Sequence, residues 1–365
     1  MRLPVAYLGC AIFLAAQPPQ GGMDVREYEP RSSLVAPQNP RTRAKYPFID
    51  VHNHPRFPMP TEQARRMLAD MDALNLRIMG SLFVRGGNGE RLRQAVESAQ
   101  QLAPGRFFFF ASPDYTDIDS PDYGRRAAAR FEEDFRLGAR GLKVWKDLGL
   151  MLRDGQGRRI RVDDPRFDPL WEACARLKAP VFIHTADPRQ FWEPVDRYNE
   201  RWLELMEVPG RRRNPQTDPS WEQLIEEQHN LFRRHPKTIF INAHLGWLGG
   251  DLARLAKLLD ECPNVYTEIG AVLAELGRQP RFARAWFLRY QDRVVFGKDS
   301  WNPVEYHTYF RVLETADEYF PYYRRRHAFW AMYGLDLPDE VLRKLYYRNA
   351  LRLIPGLDTA GFPKD

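Results

Sequence analysis

The feature that most constrains this chain is a repeated pattern: a short apolar run, then a stretch of helical periodicity, over and over. Eight apolar runs stand at 48–54, 76–84, 106–114, 139–146, 180–187, 238–246, 264–270 and 293–300, most of them rich in Val, Ile or Phe. Runs of this length and composition read as buried strands. Between them, apolar residues recur at three- and four-residue spacing, as in 61–74, 90–102, 123–137, 168–177, 221–234, 250–260 and 281–290. That spacing predicts amphipathic helices. Strands alternating with helices predict an α/β fold of parallel strands joined by helical crossovers. A doubly wound open sheet competes with a (β/α)8 TIM barrel. Eight units in about 250 residues favour the barrel. No G-x-G-x-x-G loop follows the first run, which weakens the nucleotide-binding open sheet.

The chain has 365 residues, 44% of them hydrophobic and 13% aromatic, enough for one large core. Its net charge is +6, but the arginines are scattered and the densest run, Arg211-Arg212-Arg213, is short. A solvated basic surface explains this more simply than a nucleic-acid partner. Residues 1–16 combine Arg2 with an apolar stretch ending in small residues, which reads as an export signal and implies a periplasmic or extracellular protein. The stretch is too short for a comfortable membrane span. Residues 17–45, rich in Pro, Gln, Gly and Arg, read as a disordered leader. The domain is expected over 46–355, with a helical C-terminal extension and a tail at 356–365. Cys10, Cys174 and Cys262 form neither a disulfide framework nor a thiolate metal site.

The chemistry lies in the polar residues that close the apolar runs. His52 and His54 end the first, and residues two apart on a strand share a face. His184 ends the fifth run after Val181-Phe182-Ile183, His244 the sixth after Asn242-Ala243, and Asp299 the eighth after Gly297-Lys298. Barrel enzymes build their sites at the C-terminal ends of their strands. Imidazoles and a carboxylate together suit a divalent ion with an open position. Taken singly, each of these histidines reads better as a packed core residue; their joint placement is what argues for a site. His229, His235, His307 and His327 fall in helices or their flanks and read as surface or packing residues.

Phe48-Ile49-Asp50-Val51-His52-Asn53-His54 resembles the opening strand motif of the amidohydrolase superfamily. Pro180–His184, Ala243-His244-Leu245-Gly246, Phe296-Gly297-Lys298-Asp299 and the segment 337–350 are similar to its branch of aminocarboxymuconate-semialdehyde decarboxylase-like, amidohydrolase-related enzymes. The resemblance spans about 46–355. It implies one divalent metal, zinc first with manganese or iron as alternatives, held by His52, His54, His184 and Asp299. It implies a catalytic His244. Lys298 departs from the Thr or Ser usual in that branch, and its neighbour's orientation predicts that it faces away from the site.

Lys143 and Lys146 lie three apart on the fourth strand, so one faces the site; Lys143 is taken as the inward one. Lys143, Glu268, Trp192 and Asn199 are the expected substrate-binding residues. The long connection 185–220 is expected to roof the site, an Arg-rich surface excursion being the plainer alternative. The aromatics of 302–337 cover either the barrel or an oligomer contact. The expected reaction is hydrolysis, in which a metal-activated water attacks an ester, lactone or amide carbonyl of a small carboxylate-type substrate. Asp299 takes the proton and His244 stabilises the oxyanion. Non-oxidative decarboxylation of a small aromatic or unsaturated acid on the same site is the nearest alternative. A catalytically silent, exported binding protein is the third.

Overall fold

A computed structural model describes residues 21–327 and 330–363. The expected export signal lies outside the described residues. Residues up to Leu34 form one unit, whose described part carries a turn in which Asp24 accepts the Arg26 backbone N–H at 2.9 Å. Residues from Val35 onward form the second unit. Its first segment, expected as leader, is tied down from Asn39: that residue's amide and side chain both reach Asp317 at 2.7 Å, and Ala44 N donates to Leu74 O at 3.1 Å.

The second unit is an α/β fold around an eight-stranded parallel sheet. The strands are β1 Phe48–Asp50, β2 Leu76–Leu82, β3 Phe107–Ala111, β4 Ala139–Val144, β5 Val181–Ile183, β6 Phe240–Asn242, β7 Val265–Glu268 and β8 Val294–Val295, and they neighbour one another in chain order. Helices Thr61–Leu74, Gly89–Leu102, Tyr123–Arg136, Asp168–Arg176, Trp221–Arg234, Leu252–Glu261 and Pro280–Tyr290 make the crossovers. Past its last strand the sheet curls back to its first. Val51 N donates to Phe296 O at 2.9 Å, and Asp299 N to His52 O at 2.6 Å. This closure is consistent with a TIM barrel, in which parallel strands bury both faces.

The strands are shorter than the apolar runs. β1 stops at Asp50, so His52 and His54 lie just past it, as His184, His244 and Asp299 lie past β5, β6 and β8. Inside the sheet, Phe182 stands 4.6 Å from His52 and 6.2 Å from Phe110, and forms an apolar floor beneath the histidines. Outside it, Phe48 packs edge-on against Phe296 at 4.9 Å and Phe310 at 5.4 Å. Tyr306, Tyr309 and Phe310, from helix Pro303–Glu314, are fully buried. These aromatics of the C-terminal extension therefore cover the sheet within the chain. Helices Asp339–Arg343 and Asn349–Leu353 follow them. Among the described residues, no helix is long and apolar enough to cross a membrane.

The helical histidines pack or pair. His235 Nε2 lies 3.0 Å from Asp168, and His327 Nε2 lies 3.2 Å from Glu204. His229 is buried on helix Trp221–Arg234, its ring stacked 6.4 Å from Phe232. Burial first, then Arg254 and Arg233, bring its pKa from 6.5 to about 4. Between those values the unfolded chain binds a proton that the folded chain refuses, so stability rises with pH across that window and is lost on acidification. The difference corresponds to roughly 3 kcal/mol. Urea midpoints should therefore fall from pH 7 to pH 4, and His229→Leu should flatten that slope. An unchanged slope in the variant would remove His229 from the account.

Candidate metal centre

The strand ends bring three donors together. One ligand atom from each of His52, His244 and Asp299 lies within 4.8 Å of the others. His52 Nε2 is 3.2 Å from Asp299 Oδ1, and His54 Nε2 is 3.5 Å from the same oxygen. The His184 ring stands 4.5 Å from that of His244. The cluster differs from the ligand set implied by the resemblance: His244 stands within it, while His54 adjoins it through Asp299 and His184 through His244.

The protein holds one nitrogen of each ring on a carbonyl or carboxylate oxygen. His52 Nδ1 donates to Glu268 Oε1 at 3.0 Å. Nδ1 of His54 meets Leu82 O at 2.6 Å, and Nδ1 of His244 meets Gly270 O at 2.7 Å. His184 is held from the other side, its Nε2 3.1 Å from Ala186 O. A carbonyl or carboxylate on one ring nitrogen fixes the tautomer and turns a lone pair outward on the other, the arrangement of metal-ligating histidines. The donor chemistry therefore fits a divalent ion.

Electrostatics agree. Burial holds His52 and His184 well below the ordinary imidazole range, with Lys143 opposing protonation of both and His244 most strongly that of His184. These rings are neutral and can donate lone pairs. Burial also opposes ionisation of Asp299, but His52, His54 and His244 outweigh it and keep its carboxyl well below the usual range. The side chains of Asp299 and His54 are 34% and 32% exposed, so the centre opens to solvent on their side while His52 is sealed beneath.

Two buried carboxylates organise the centre from behind. Glu268 takes His52 Nδ1 and the backbone N–H of His244, at 2.6 Å, on Oε1, and the Gly270 N–H on Oε2. Burial raises its pKa. Asp50 accepts His52 N at 2.9 Å, Asn53 Nδ2 at 3.0 Å and Tyr306 OH at 2.5 Å. Burial pushes Asp50 to about 6 against those bonds. Its role went unread in the sequence, although an acid inside the apolar run 48–51 was a signal.

Lys143 is fully buried, with Nζ 3.4 Å from His52 Nε2 and 4.4 Å from the centre of the Phe182 ring. Burial lowers its pKa to about 8, against the pull of Asp299 and Glu268. Lys146 turns instead to Asp187, which Arg213 also pairs. Lys298 faces away from the cluster, its amine bound to Glu305 and to Ser300 O at 2.8 Å. Trp192 and Asn199 use their polar groups within the 185–220 connection. The indole of Trp192 donates to Pro219 O at 2.9 Å, and Asn199 Nδ2 donates to Gln190 O at 2.9 Å and Pro194 O at 3.0 Å. Glu268 stands behind the ligands rather than facing an open pocket.

Trp247 is a further residue that the sequence did not single out. His244, Leu245, Gly246 and Trp247 have φ of 58°, 53°, 62° and 56°, a full left-handed turn. Each non-glycine residue in it costs about 1–2 kcal/mol. A Cβ at Gly246 would collide with the Asn242 side chain. Residues three apart eclipse in so tight a turn, and Trp247 lies over His244 with centroids 4.5 Å apart, and 5.8 Å from His184. Strain of this kind concentrates at functional sites.

The amidohydrolase family profile matches residues 49–356, and the chain belongs to that family. It is an amidohydrolase-type, metal-dependent enzyme, of a class that includes decarboxylases. No curated protein matches it. Among solved structures it is similar to a 2,6-dihydroxybenzoate decarboxylase complexed with 2,6-dihydroxybenzoate, at 15% identity over 84% of this chain and 99% of that one, with a TM-score of 0.50. It is also similar to an uncharacterised TIM-barrel protein from Bordetella bronchiseptica, at 16% identity over 84% and 97%, with a TM-score of 0.50. At these identities the likeness is one of fold.

Replacing Glu268 with Gln should weaken metal binding about 10- to 100-fold, the usual cost of losing an outer-shell partner. Competition with a chromogenic chelator measures this directly. Affinity equal to wild type would show that Glu268 does not organise the ligands.

Proposed function

We propose that the chain hydrolyses an ester, lactone or amide bond of a small carboxylate-type substrate at the mouth of a complete (β/α)8 barrel. The observation that supports this best is the convergence of neutral, pre-oriented imidazoles on one ionised and partly exposed carboxylate. In this reading His52, His54, His184 and Asp299 hold one divalent ion, zinc first. When bound, such an ion supplies Lewis acidity and brings a water's pKa towards about 7.

The chain's own groups do the rest. Asp299, ionised and reachable from solvent, accepts the proton that the attacking water gives up. His244 presents a lone pair at Nε2, because Gly270 O holds its Nδ1–H. It donates to a developing oxyanion only once Nε2 carries a proton; Glu268 Oε1 stands 3.5 Å from its Nδ1. Lys143, with its lowered pKa, reaches the cluster from the floor and meets a substrate carboxylate. The Phe182 ring excludes water from below, which strengthens each of these interactions.

Asp299→Asn should cut kcat on the order of 10²- to 10⁴-fold while the circular dichroism spectrum is unchanged. Near-normal turnover would refute the proton-accepting role. Chelation should abolish activity and added zinc restore it. His184→Ala should lose more metal than His244→Ala; the reverse result would exchange the roles of the two rings. An ester, lactone and amide panel run beside a hydroxybenzoate panel decides the reaction. Carbon dioxide release without acyl hydrolysis would replace this proposal with decarboxylation.

A further inference from the structure

Hydrogen bonds fix His244 at two atoms. Its backbone N–H reaches Glu268 Oε1 at 2.6 Å, and its Nδ1 meets Gly270 O at 2.7 Å. Neither bond sets the plane of the ring, because an imidazole can turn about a single Nδ1···O contact and still keep it. The direction of Nε2, the nitrogen left to meet a reacting atom, is decided by what packs against the ring.

Three rings border it. His184 stands edge-on, at 4.5 Å and 80°. His52 and Trp247 lie closer to parallel, at 4.9 Å and 36° and at 4.5 Å and 31°. His52 and His184 have ties of their own, to Glu268 and to Ala186 O. Trp247 has none: its buried Nε1–H finds no hydrogen-bond partner among the described residues. A buried donor left unmet is costly, so packing alone keeps the indole against the imidazole. The left-handed turn delivers it there, three residues on from His244. Gly246 makes the turn possible, since a Cβ in its place would collide with Asn242. Backbone strain and an unmet donor are thus both tolerated to put one flat ring beside His244.

Resting on the hydrolytic reading above, we propose that Trp247 is a positioning residue: its indole face sets the plane of the His244 ring and with it the direction of Nε2. The face is what matters. A flat ring limits how far a stacked imidazole can tilt, and a branched aliphatic chain does not.

Two variants separate the face from the bulk. Trp247→Leu keeps apolar bulk and loses the face; Trp247→Phe keeps a face. In zinc-loaded protein carrying isotope-labelled histidine, the His244 Nδ1–H proton is identified by its absence from His244→Gln, and its exchange with water reads how firmly the ring is held. Trp247→Leu should speed that exchange about tenfold, the scale of one aromatic contact, and Trp247→Phe should restore it. Exchange equal in wild type and Trp247→Leu, or alike in the two variants, overturns the proposal. On an ester that the wild type hydrolyses, Trp247→Leu should cut kcat on the order of 10²-fold with KM unchanged, and Trp247→Phe should recover most of it. A change in KM alone overturns the positioning role. Failure of wild type on every ester counts against the hydrolase reading, and the exchange measurement still decides what holds His244.

Discussion

The centre depends on one buried carboxylate. Glu268, at the end of β7, joins the His52 ring, the His244 backbone and the Gly270 backbone. It thereby ties the end of β1 to the turn after β6 and sets which nitrogen of His52 faces the cluster. A fully buried carboxylate is costly unless its oxygens are answered, and here both are. The metal-facing geometry and the integrity of three strand ends rest on the same side chain.

Around that anchor, backbone strain gathers on the side of the fold where function is expected. Ala186, His244, Ala271 and Asp299 follow β5, β6, β7 and β8 in turn, and all have positive φ. An extended chain leaving its strand would carry these side chains up and away; the left-handed residues turn them back over the sheet. The cost is borne by a core of Phe, Leu and Val that closes on itself where Val51 meets Phe296.

Much of this was legible beforehand. Eight apolar runs separated by amphipathic stretches dictate parallel strands with helical crossovers, and all eight occur in chain order. The polar residues closing those runs pointed to one face, because a strand's end is where a buried side chain first reaches open space. Other features were illegible for a physical reason. His244 and Trp247 come into contact through four consecutive left-handed residues, a conformation that no propensity favours. Trp192 and Asn199 looked like pocket residues from their chemistry, yet the connection they belong to uses their polar groups for its own hydrogen bonds. The first strand was read as reaching His54 because its apolar pattern does, whereas the ladder assigned to it stops at Asp50.

By itself, then, the sequence determined the class of fold and the chemical types at its strand ends, since hydrophobic periodicity and side-chain chemistry are local properties. Which nitrogen of each histidine the protein holds, and which carboxylates stand behind the cluster, were decided only by tertiary structure, whereas Lys143 was already expected as the inward lysine. Except for His184, held by the nearby Ala186, each of these depends on a hydrogen bond or contact between residues tens to hundreds of positions apart, and no local pattern encodes such a distance.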